Sequence, residues 1–91
     1  MHKPTSMKLE ILTPEKRLYA GDVYGVQLPG IAGSFEVLER HAPLVSALGK
    51  GTIKVLLDRN GQDTARFDVS GGFIEVLDNR VSVLVEGASQ I

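Results

Sequence analysis

From Met7 the apolar positions recur every second residue, with Met7, Leu9 and Ile11 alternating with Lys8 and Glu10. That period turns successive side chains to opposite faces, so the segment predicts a half-buried strand, ended by Thr13-Pro14-Glu15. "RLYAGDVYGVQLPG" then predicts a short strand around Leu18-Tyr19, a turn at Gly21-Asp22, and a strand from Val23 to Leu28 stopped by Pro29-Gly30. "SFEVLE" and "LVSAL" give two more short strands on either side of Arg40-His41-Ala42-Pro43.

The second half alternates more cleanly. "TIKVLLDRNGQDTARFDV" carries two alternating runs around Asn60-Gly61, a dipeptide that favours hairpins because both residues tolerate positive φ. Ile53, Val55 and Leu57 are expected to share a core face with Ala65, Phe67 and Val69. After Ser70-Gly71-Gly72, "FIEVLDNRVSVLVE" predicts a further hairpin turning at Asp78-Asn79. No segment holds a 3.6-residue apolar period over three turns. Eight to ten short strands punctuated by Gly, Pro and Asn predict an all-β sandwich or flattened barrel over residues 7–91. Residues 1–6, MHKPTS, lack the pattern and are expected to be a disordered tail or a cloning remnant.

The alternation is not clean on the solvent side. Leu56, Phe73, Leu77 and Leu84 stand where a solvated face would carry charge or Thr. Either the sandwich buries both faces of some strands at its corners, or these residues form an apolar patch for a partner.

Composition narrows the classes. At 91 residues the chain is one domain, and folding hides only about 60–65% of the unfolded surface. With 43% hydrophobic residues, no Trp, two Tyr and three Phe, the core must be mainly aliphatic. The absence of cysteine excludes disulfides and thiolate metal sites. Ten Lys and Arg against eleven Asp and Glu, scattered along the chain, argue against nucleic-acid binding, which needs a basic stripe interleaved with aromatics. No apolar run approaches the roughly 18–20 residues that span a bilayer, and no apolar leader follows the N-terminus, so a cytosolic chain is expected.

Candidate chemistry is thin. His41 is the one histidine outside the first six residues, and Ser46 and Ser70 are available as nucleophiles, but neither sits in a G-x-S-x-G elbow. A structural or contact role for His41 is the stronger expectation. "ALGKGT" suggests a phosphate loop, yet position 44 is Leu where the first glycine belongs, Gly51 follows Lys50, and a strand comes next. "LPGIAGSFEV" reads as a hairpin loop with exposed Ile31 and Phe35, or as a docking loop. The glycine pair in "VSGGF" suggests a bulge or the close approach of another backbone. An anion nest there lacks a second basic group, and no metal-ligand spacing is present.

In order along the chain, "LEILTPEKRLYAGDV", "VQLPGIAGSFEVLERHAPLVSALGKGTIKV" and "FDVSGGFIEVLDNRVSVLVEGA" resemble the N-terminal β-sandwich domain of the F-type ATP synthase ε subunit, called δ in mitochondria. The likeness runs from about Met7 to Ala88, and its most specific parts are His41 to Leu44 and Ser70 to Gly72. The resemblance implies a ten-stranded sandwich at the foot of the central stalk. Such a subunit packs against γ, touches the c-ring and turns with both, coupling proton flow to ATP synthesis without bond chemistry. Carried over by position, the ring-facing loop falls on Gly30, Ile31, Ala32, Gly33, Ser34 and Phe35. The γ-facing surface falls on Thr13, His41, Leu44 and Ser46.

The implied location is peripheral, at the cytoplasmic face of a bacterial inner membrane, with no membrane insertion, cofactor, metal or nucleic-acid partner. The chain departs from the family before His41, where many members carry Gly or Gly-x-Gly and this one has "FEVLER". The family usually continues into a helical hairpin that can restrain rotation and, in some bacteria, bind ATP. This chain ends at Ile91, so a naturally short subunit and a trimmed one both stand, and neither helix insertion nor ATP binding is expected of it. The expectations from other classes are a small hydrolase built on His41 and a free-standing small-ligand-binding β-sandwich.

Overall fold

The computed structural model describes residues 6–91. Residues 1–5 of the predicted tail lie outside the described residues, and Ser6 lends its carbonyl to the Asn79 side chain at 2.9 Å. Ten strands follow: β1 (Met7–Leu12), β2 (Arg17–Val23), β3 (Gly25–Gly30), β4 (Gly33–Leu38), β5 (Leu44–Leu48), β6 (Gly51–Leu56), β7 (Thr64–Val69), β8 (Gly72–Leu77), β9 (Arg80–Val85) and β10 (Ala88–Gln90). Among the described residues there is no helix.

The strands form one sheet ordered β10-β7-β6-β3-β5-β8-β9-β1-β2, with β4 paired to β3. All pairs are antiparallel except β1 with β9. At the β3–β5 joint only Gly30 and Leu48 are in register, and there the sheet folds over on itself. Two of the connections between the layers, β7 to β8 and β9 to β10, bond to each other: the Ser70 N–H to the Gly87 carbonyl and the Glu86 N–H to the Gly71 carbonyl. Alternate residues of both layers, among them Leu9, Ile11, Val26, Leu28, Ile53, Phe67, Ile74 and Val83, make a single buried cluster. Tyr19 of β2 meets Phe67 of β7 edge to face at 6.2 Å, which ties the last strand of one layer to the other.

Two expected breaks in the strands are absent. Gly21 and Asp22 lie inside β2, opposite Leu9 and Lys8, and the chain bends at Tyr24 instead. The glycine serves a neighbour: a β-carbon at Gly21 would stand 3.3 Å from the Tyr19 hydroxyl oxygen. Pro29 and Gly30 likewise continue β3, opposite Ser34 and Gly33, and the Pro29 carbonyl accepts the Gly49 N–H at 2.8 Å. The turn falls on Ile31-Ala32.

Both expected hairpins form. Asp78 and Asn79, at φ 52° and 62°, make the tight primed turn of β8–β9. The β6–β7 connection is wider than a two-residue turn and is closed by the Leu57 N–H on the Asp63 carbonyl at 2.8 Å. Inside it Asp58 Oδ1 accepts the Gln62 N–H at 2.9 Å, and Gly61 supplies φ +70°. In Ser70-Gly71-Gly72 the sequence anticipated a close backbone approach. A β-carbon on Gly72, at φ +156°, would collide with the Leu84 carbonyl oxygen, so only glycine lets β8 start flush against β9.

Candidate functional site

Residues opposite one another in a ladder share a face, so the register shows what the outer surface of β5, β8, β9 and β1 presents. One row runs Ala47–Phe73–Leu84–Leu12 and is wholly apolar. The next runs Val45–Glu75–Ser82–Glu10. A third runs Leu77–Arg80–Lys8 and reaches Asp22 on β2. The charged side chains pair locally, Lys8 Nζ with Asp22 at 3.4 Å and Arg17 Nε with Glu10 at 3.2 Å, all exposed save Glu10, which is half-buried. Pairs of this kind contribute about 0–1 kcal/mol and hold the surface pattern rather than the fold.

Among the described residues nothing covers the middle of the apolar row, while Ala47 and Leu12 at its ends are half-buried. Phe73 is 59% exposed and Leu84 52%, and Val45 in the next row is 72% exposed. Beside them Leu12, Thr13, Pro14, Phe73 and Leu84 line a shallow, mostly apolar groove of about 240 Å³. Of the four solvent-side residues singled out by sequence, Phe73, Leu77 and Leu84 are exposed. Leu56 is half-buried, near Leu38 over Gly25.

The predicted γ-facing residues divide between the ends and the inside of this face. Thr13 stands at the end where β1 stops, and its N–H and hydroxyl both bond the Lys16 carbonyl, at 2.9 and 3.2 Å, closing the Thr13–Lys16 turn. His41 stands at the other end, ahead of β5. It is exposed, its Nδ1 donates to the Ala42 carbonyl at 2.7 Å, and its N–H reaches the Leu38 carbonyl at 3.3 Å. Leu44 and Ser46 oppose buried Val76 and Ile74, so they stand on the core side of β5, and Leu44 packs against the core. The residues β5 turns outward are Val45 and Ala47.

Sequence reading missed those two because adjacent Leu44 and Val45 leave the phase of "LVSAL" undecided. The signal that fixes it is Leu48, which is buried and so sets Leu44 and Ser46 inward by the two-residue period.

The loop from Gly30 to Phe35 lies at the Thr13 end, since Gly30 registers with Leu48 and Leu48 with Gly72. Ile31 is 73% exposed at its tip, flanked by exposed Ala32, Gly33 and Ser34. Phe35, expected to be exposed, is half-buried and packs against the core. Its ring lies across Gly30, where a β-carbon would come within 2.9 Å of it, so the glycine draws the aromatic inward and leaves Ile31 as the apolar tip.

Among the described residues no group of three His, Cys, Asp or Glu side chains is placed to hold a metal ion. Among the described residues no helix is long and apolar enough to cross a membrane. Burial, and then the nearby Asp22 carboxylate, raise the Tyr19 phenol above the ordinary 10.0.

The sequence model described as "ATP synthase, Delta/Epsilon chain, beta-sandwich domain" matches residues 6–91. An ATP synthase epsilon chain of Salinibacter ruber is 44% identical, over 93% of this chain and 63% of the relative. One of Chlorobaculum tepidum is 41% identical, over 89% of this chain and 90% of the relative. The chain thus spans less than two thirds of the first of these and most of the second. Among solved structures, a chain of the Euglena gracilis mitochondrial ATP synthase superimposes with a TM-score of 0.86 at 22% identity, over 99% of this chain and 56% of that one.

Proposed function

The chain belongs to the ATP synthase delta/epsilon β-sandwich family, and from that membership we propose that it is a non-catalytic central-stalk subunit, linking γ to the c-ring in a proton-translocating F-type synthase. The single observation that carries the reading is the apolar row Ala47–Phe73–Leu84–Leu12, exposed at Phe73 and Leu84, on the outer sheet face. A monomer rarely leaves large apolar side chains side by side unless a partner covers them.

The γ-facing surface is the outer face of β5, β8, β9 and β1, with Thr13 and His41 at its two ends. The ring-facing surface is the Gly30–Phe35 loop, engaged through Ile31 at its tip. Transmission of torque between two partners needs a stiff body, and a two-layer sandwich with one shared core supplies it. Interfaces of this kind bury on the order of 800 Å² per partner, a large share of a surface of 5806 Å². In the cell the subunit sits peripherally at the cytoplasmic face of the membrane that carries the ring. Mixing the protein with the cognate γ subunit on a sizing column tests the reading: co-elution at micromolar concentration is expected, and separate elution of two folded proteins contradicts it.

A further inference from the structure

Three segments far apart in sequence meet at one side chain. Asn79 Oδ1 accepts the Arg40 N–H at 2.8 Å, while its Nδ2 donates to the Ser6 carbonyl at 2.9 Å. Its own carbonyl accepts the Lys8 N–H at 3.2 Å. Both ends of the carboxamide are therefore engaged, one with the loop before His41 and the other with the residue that leads into β1.

Arg40 is a residue that needs holding. It lies at φ +59°, where a β-carbon crowds the following carbonyl oxygen and glycine is the usual occupant. The turn bond of the corner belongs to its neighbour, from the His41 N–H to the Leu38 carbonyl. The Asn79 oxygen fixes the peptide plane between Glu39 and Arg40. Released from it, Arg40 can relax to negative φ, which swings the next peptide and carries the His41 ring with it.

We propose that Asn79 is the positioning residue of the His41 corner, and that through Nδ2 it ties the order of that corner to the start of β1. The role rests on the docking reading above, because the corner ends the face proposed to meet γ. The backbone and side-chain duties of Asn79 are separable. Its φ of 62° suits glycine, so Asn79→Gly keeps the turn and deletes the carboxamide. Asn79→Asp keeps an oxygen for Arg40 and sets a second acceptor against the Ser6 carbonyl.

Two measurements on the full chain test this. In Asn79→Gly the Arg40 amide is expected to exchange about tenfold faster, the loss of about one hydrogen bond, with γ affinity three- to tenfold weaker at a temperature where the variant is fully folded. Asn79→Asp is expected to restore the protection of Arg40 and most of the affinity. Unchanged Arg40 exchange in Asn79→Gly overturns the clamp. Faster exchange with unchanged affinity overturns the positioning role. Failure of the unsubstituted protein to bind γ overturns the docking reading and the positioning role with it, while Arg40 exchange still decides the clamp.

Discussion

Phe73 and Leu84 stand directly opposite each other on β8 and β9, on the outer side of the sheet, and both remain more than half exposed. A cross-strand apolar pair of this size is stabilising when covered and a liability when not, which makes it the first place to probe the proposed docking face. Phe73→Asp and Leu84→Asp are each expected to weaken γ binding by at least about 2 kcal/mol, roughly thirtyfold. Folding stability should move by no more than about 0.5 kcal/mol, because neither side chain contributes to the core. Titration calorimetry together with urea unfolding separates the two effects.

Gly72 is expected to tolerate no side chain. Its φ of +156° and the Leu84 carbonyl oxygen both oppose a β-carbon, so Gly72→Ala should destabilise the fold by about 2–3 kcal/mol. For a domain of this size that lowers Tm by roughly 10–20 °C in a thermal melt.

The same residue illustrates what the sequence made legible. The glycine pair signalled a close backbone approach, and the two-residue period placed Ile53, Val55, Phe67 and Val69 in the core. Gly21 and Pro29 misled, since the chemistry that suits a turn also suits other tasks. Gly21 leaves space for the Tyr19 ring, and Pro29 lends its carbonyl to Gly49. Both tasks depend on long-range neighbours. The proposed docking face was half legible for a related reason: Phe73 and Leu84 break the alternation visibly, whereas Val45 and Ala47 become outward only once Leu48 is known to be buried. Asn79 gave no signal beyond its turn, because its partners lie 39 and 73 residues away.

Arg40 occupies a backbone conformation that glycine adopts without strain. Arg40→Gly relieves a left-handed penalty of about 1–2 kcal/mol and gives back about 0.5–1 kcal/mol through the greater freedom of the unfolded chain. The expected net is a gain of about 0.5 kcal/mol, measured as a higher urea midpoint at unchanged slope.

Alkaline stability should report on Tyr19. Burial, with Asp22 second, raises its phenol above 10.0 in the folded protein, so the folded state holds the proton more tightly than the unfolded one. By linkage the Tyr19 contribution is fully present below pH 10.0 and is lost as pH rises through the folded value. Tyr19→Phe is therefore expected to flatten this part of the decline when urea midpoints are followed across that window. An identical decline in both proteins contradicts the assignment.

The central claim is that two separate surfaces meet two partners, and site-specific photo-crosslinking in the assembled synthase tests it most directly. A photoreactive residue at position 73 is expected to give an adduct with γ, and one at position 31 an adduct with a ring subunit. Adducts from position 73 with the ring, adducts from position 31 with γ, or no adduct from either in an assembled complex contradict the account.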